Sequence, residues 1–132
     1  MLEVTSPSKR ASSDAIAKAL ERIASTIKRT EGIGYINIPE ILEENRSGVP
    51  LYRNAGMREF GRQLAKMCGK VIIVNKVVVF LASKGEFEKW LNETAAIYGI
   101  RDVVFVGGSS AGRKYPGPSV VEANRIAAKH EG

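Results

Sequence analysis

The chain has 132 residues, 44% of them hydrophobic and 26% charged, which suits one domain with a modest core. A net charge of +6 invites a nucleic-acid reading, but the 20 Lys and Arg are scattered among acids with no run of five or six, so nucleic-acid binding is not expected. No apolar stretch reaches the roughly 18 residues that cross a membrane, and the lone Cys68 can close no internal disulfide, so a reducing cytoplasm is expected. The only histidine is His130, and no cluster of metal ligands is evident, so no metal site is expected.

In chain order, a short apolar run (Leu2 to Thr5) opens the sequence. Ser12 or Ser13 then caps a helix whose Ile16, Leu20, Ile23 and Ile27 recur at three- and four-residue steps. A second β-branched run, Gly34 to Ile38, ends at Pro39, and a polar stretch leads to a helix with Phe60, Leu64, Met67 and Cys68 on its apolar side. The third run is long, Val71 to Val74 and Val77 to Leu81, with a bend expected at Asn75-Lys76. Ser83 and Glu86 form the pattern of a capping box ahead of Phe87, Trp90, Leu91 and Ile97. The fourth run, Asp102 to Val106, ends in Gly107-Gly108, and a last helix starting near Pro118-Ser119 turns Val120, Val121, Ala123, Ile126 and Ala127 to the core.

Strands alternating with helices predict an α/β domain over 1–132, four successive βα units with parallel strands. Two architectures fit: a small open sheet, or half of a (β/α)8 TIM-type barrel, which needs about 250 residues when complete. The connections after the helices are short, whereas those after strands two and four are long and rich in glycine, proline and polar groups. That asymmetry places the chemistry at the C-terminal ends of the strands.

Four stretches there are candidates. Glu3, in a short apolar strand, is placed to donate a proton when partly desolvated. Asn37 and Glu40 bring an amide and a carboxylate to the same rim. Arg46, Tyr52, Arg53 and Asn54 carry cations beside an aromatic ring, which suits a carboxylate or phosphate. Gly107, Gly108 and Ser109, with Tyr115 and the following helix N-terminus, suit close backbone approach to a ligand. The spacing is neither a Rossmann fingerprint nor a Walker loop.

Asn37-Ile38-Pro39-Glu40-Ile41, Val74 to Val79, and Val106-Gly107-Gly108-Ser109-Ser110 followed by Tyr115 to Val120 resemble the N-terminal half of the methylenetetrahydrofolate reductase family, in a divergent, archaeal-type branch. The resemblance reaches the first four of that family's eight strand–helix units. It implies an oxidoreductase of one-carbon metabolism in which NAD(P)H reduces FAD and the flavin reduces a methylene-pterin of the folate type. It assigns Glu3 as proton donor and Gly107, Gly108 and Tyr115 to the cofactor; the chemistry of the candidate stretches adds Ser109 to the cofactor and Asn37, Glu40 and Arg53 to the substrate. Ser109, Phe80 and Pro39 depart from the family's aspartate, histidine and threonine. Half a barrel further implies a homo-oligomer or a second half-barrel chain. The alternatives are a non-catalytic module binding a pterin or another anionic small molecule, or an inactive fragment of the full barrel.

Overall fold

A computed structural model describes residues 1–44, 47, 49–109 and 112–130. The first strand, β1 (Leu2–Glu3), leads into α1 (Ser13–Arg29), β2 (Tyr35–Pro39), β3 (Leu42–Glu44), β4 (Pro50–Tyr52) and α2 (Met57–Cys68). There follow β5 (Val71–Val77), a 3-10 turn (Val78–Phe80), α3 (Lys84–Ala96), β6 (Asp102–Val106) and α4 (Val120–Ala127). The main sheet has the order β1-β2-β5-β6 and every pairing is parallel. Strand neighbours in the sheet are therefore successive in the chain, apart from the β3–β4 hairpin, an antiparallel insertion.

The expected helices start where their caps lie. Ser12 Oγ accepts from Ala15 N–H (3.1 Å) at α1, and Ser83 Oγ from Glu86 N–H (3.1 Å) at α3. Glu86 does not return the bond, so the capping box expected at α3 is half made, and the reciprocal one is at α4, where Ser119 and Glu122 bond each other's backbone N–H. Gly69 ends α2 in the left-handed region (φ 68°), which costs glycine nothing.

Register partners point to the same side of a parallel sheet, so the two faces can be read along the strands. One face carries Ile36 and Ile38, opposite Ile72 and Val74, and then Val103 and Phe105. The first four of these are buried and pack with Leu20, Ala24 and Ile27 of α1, Phe60 and Leu64 of α2, Phe87 and Trp90 of α3, and Ala123 of α4. Gly61 lets α2 lie close on this face, since a Cβ there would come within 2.9 Å of Ile72 and 3.2 Å of Ile38. The Phe87 and Phe105 rings meet edge to face at 5.2 Å. The opposite face carries Glu3, Asn37, Ile73, Asn75, Val77, Val104 and Val106. Its outer members Tyr35, Val71, Val104 and Val106 are exposed, at 52%, 45%, 47% and 38%.

Three expectations change. Asn75 and Lys76 do not bend the third run but lie within β5, and it is Val78 to Phe80 that leave the strand as a 3-10 turn. The polar stretch after β2 holds the β3–β4 hairpin, whose strands are too short to read, one with two acids and the other opened by a proline. Val121 faces outward rather than into the core, at 60% exposed.

Candidate functional site

Glu3 closes β1, where the Val4 N–H continues the ladder to Asn37 C=O at 2.9 Å. Register sets Glu3 beside Asn37 on the uncovered face, and Asn37 Nδ2 donates to Glu3 Oε2 at 3.4 Å. The same row continues through Ile73 to Asp102, the first residue of β6. Gly107 lies five positions beyond Asp102, about 16 Å further along the strand direction. The carboxylate and the double glycine thus belong to one parallel sheet but sit at different heights, with β2 and β5 between them. Asn75 shares the uncovered face, and its Oδ1 is buried without a hydrogen-bond partner among the described residues.

A pocket of about 200 Å³ does form where β5 and β6 end, lined by Glu40, Leu42, Glu44, Val77, Phe80, Gly107, Gly108 and Ser109. Glu40 is engaged within it. Its Oε1 accepts from Val77 N–H (3.1 Å), and its Oε2 pairs with Lys76 Nζ (2.7 Å). Lys76 is 8% exposed and lies 5.7 Å from each of the Tyr52 and Trp90 ring centres. Burial, with the Glu40 charge adding to it, pushes the Tyr52 hydroxyl above its ordinary range. Glu40 therefore joins β5 to the hairpin, and its charge is matched from within the chain.

Glu44, which ends β3, gathers the loop after β6. It accepts from Ser109 Oγ (2.8 Å) and Tyr115 Oη (3.3 Å) and pairs with Arg113. The Ser109 hydroxyl first, and then the Arg113 charge, hold its carboxyl below the usual range. A depressed pKa means that this tie adds stability above the ordinary carboxylate range and loses it as pH falls through the lowered value. Limited proteolysis in the 109–115 loop is expected to speed up in acid in the wild type. In Glu44→Gln it is expected to be faster at neutral pH and to lose that acid dependence.

Tyr115 is further fixed edge-on to Phe80, with ring centres 5.3 Å apart. Its ring fills the space at Gly108, where a Cβ would come within 2.2 Å of it. The close approach that Gly108 permits is thus used by a residue of the same loop. The α4 N-terminus is likewise satisfied by Glu122, which also pairs with Lys84 at 2.7 Å. Arg53, on the far side of the hairpin, forms an exposed pair with Glu43 at 2.7 Å. The sequence brings Glu40, Gly107, Gly108, Ser109 and Tyr115 together, and leaves Glu3 with Asn37, and Arg53, in separate places. Arg46 lies outside the described residues.

A flavin fits these residues as far as one wall only. The exposed Val104 and Val106 offer an apolar surface to a flat ring, but the unpartnered Asn75 oxygen is buried and out of a ligand's reach. The 200 Å³ pocket is smaller than the roughly 300–1,000 Å³ of cofactor clefts. At the β6 exit the helix end that could take phosphates is closed by Glu122. Among the described residues no group of three or more His, Cys, Asp and Glu could hold a metal ion, and no helix is long and apolar enough to cross a membrane. No protein-family model matches the chain, and no curated protein matches it either.

Proposed function

We propose that the chain is half of a (β/α)8-type barrel whose uncovered sheet face forms one wall of a reductase site for a methylene-pterin of the folate type, completed by a second copy or a second half-barrel chain. The observation that carries this reading is the Glu3–Asn37 pair on a parallel sheet face whose outer members Tyr35, Val71, Val104 and Val106 are exposed. Four parallel strands in chain order, with helices between them, are what half of a closed parallel barrel requires. The family resemblance of the sequence supplies the chemistry.

In this reading a bound flavin, reduced by NAD(P)H, supplies the hydride. Glu3 is the group placed to pass a proton to the bridging nitrogen as the methylene bridge opens, and Asn37 orients its carboxyl group through its amide. Purified protein mixed with FAD is expected to retain the cofactor and to oxidise NAD(P)H when methylenetetrahydrofolate is added. Glu3→Gln should lower turnover by about 10²- to 10⁴-fold while leaving flavin retention unchanged. Colourless protein with no folate-dependent turnover would rule the reading out.

A second reading, a non-catalytic receptor for a pterin or a similar anionic molecule, is favoured by the internal use of the β6 exit. Tyr115 fills the space at Gly108, and Glu122 closes the helix end. It predicts folate binding that Glu3→Gln barely changes, with no oxidation of NAD(P)H.

A further inference from the structure

We propose that the cleft between the β1–α1 loop and the β3–β4 hairpin binds a phosphate ester or diphosphate group of a small molecule. Its volume is about 400 Å³, and it is lined by Ser8, Lys9, Arg10, Leu51, Tyr52, Arg53 and Asn54. Three of these are cationic and none is acidic. In the sequence the Lys9-Arg10 pair and Arg53 are more than 40 residues apart and read as unrelated. The fold joins them.

The joining is done by backbone, which makes it a platform rather than a chance meeting of side chains. Lys9 N–H donates to Arg53 C=O (3.0 Å), Ala55 N–H to Pro7 C=O (2.7 Å), and Ser8 and Asn54 form an antiparallel bridge. Buried Ser6 adds its Oγ to Ala55 C=O (2.8 Å), and Asn54 Nδ2 donates to Ser6 C=O. Arg10 N–H is folded back onto Ser8 Oγ at 3.2 Å, which fixes the turn carrying both cations.

The charge is only partly matched. Glu43 pairs with Arg53, which leaves Lys9 and Arg10 to face an incoming anion. Lys offers a point charge and Arg a planar fork, a combination that suits the several oxygens of a phosphate. The cleft lies on the same side of the sheet as the strand exits, beside the end of β1. It could therefore hold the diphosphate of a dinucleotide cofactor whose ring lies elsewhere, or the phosphate of a smaller substrate. This site stands whether or not the reductase reading does.

The test is calorimetric titration with pyrophosphate at low salt, which requires neither flavin nor folate. Saturable binding is expected, weakened at least tenfold in Lys9→Gln/Arg10→Gln and strengthened several-fold in Glu43→Gln, where Arg53 is released. Lys28→Gln/Arg29→Gln, which removes an exposed basic pair from the last turn of α1, should leave the affinity unchanged. Tighter binding of FAD than of pyrophosphate assigns the site to a dinucleotide, and the reverse assigns it to a smaller phosphate ester. No saturable binding of pyrophosphate, or equal losses in the two double variants, would overturn the proposal.

Discussion

Gly117→Ala is expected to destabilise the protein by about 3 kcal/mol, at the upper end of what overpacking a filled site costs. For a chain of this size that lowers the melting temperature by roughly 10 °C. The cause is that the neighbours are main chain. A Cβ at 117 would lie 2.3 Å from Val78 O, 2.9 Å from Leu81 O and 2.9 Å from Val79 C, all in the 3-10 turn after β5 or just past it. A flexible side chain could swing aside, but these carbonyls cannot move without moving β5. The Gly117 N–H also donates to Val79 C=O at 2.8 Å, so relief of the clash would break the bond that anchors the loop before α4. Gly107→Ala is the control, because its Cβ would meet only the Val120 side chain, at 3.4 Å. Urea midpoints should separate the two, and similar values would refute the packing argument.

The second large effect is expected at Lys76. Replacing it with methionine keeps most of the volume between the Tyr52 and Trp90 rings but leaves the Glu40 carboxylate, 13% exposed, without its cation. Breaking a buried pair from one side costs about 3–5 kcal/mol, because an uncompensated charge remains. The double variant Glu40→Gln/Lys76→Met removes both charges. It keeps an acceptor for the Val77 N–H and should recover most of that loss. A thermodynamic cycle over the four proteins measures the coupling, and a double variant no more stable than Lys76→Met would show that the charges are not the issue.

These two sites also show where the sequence stopped being legible. Asn75-Lys76 interrupts a run of β-branched residues, and two polar residues there suggest a bend. Lys76 stays in the strand because Glu40, Tyr52 and Trp90, from three other segments, surround it, and no local pattern announces such a cage. Glu44 presented the same difficulty. Nothing local distinguishes it from Glu40 and Glu43, yet it is the residue that gathers Ser109, Arg113 and Tyr115. Arg58 was hidden likewise, stacked between the Trp90 and Tyr98 rings (5.1 and 4.6 Å) and donating to Thr94 Oγ1 at 3.1 Å.

What could be read was local. β6 is found at Asp102–Val106 as the apolar run indicates, and Ser12, Ser83 and Ser119 cap the helices that follow them. The glycine pair and Tyr115 meet in one place because a short loop connects them. Glu3 and Gly107 do not meet, because height along a strand depends on register, which the sequence does not reveal when every strand is apolar.

The strand order has a consequence for how the chain reaches this state. Leu2 pairs 34 positions ahead with Ile36, Tyr35 pairs 36 ahead with Val71, and Ile73 pairs 29 ahead with Asp102. Closure entropy grows only with the logarithm of loop length, so the three pairings carry nearly equal costs. None has to wait for a remote segment. The stretch up to Val77 contains three of the four strands, so their pairing requires no segment that follows it.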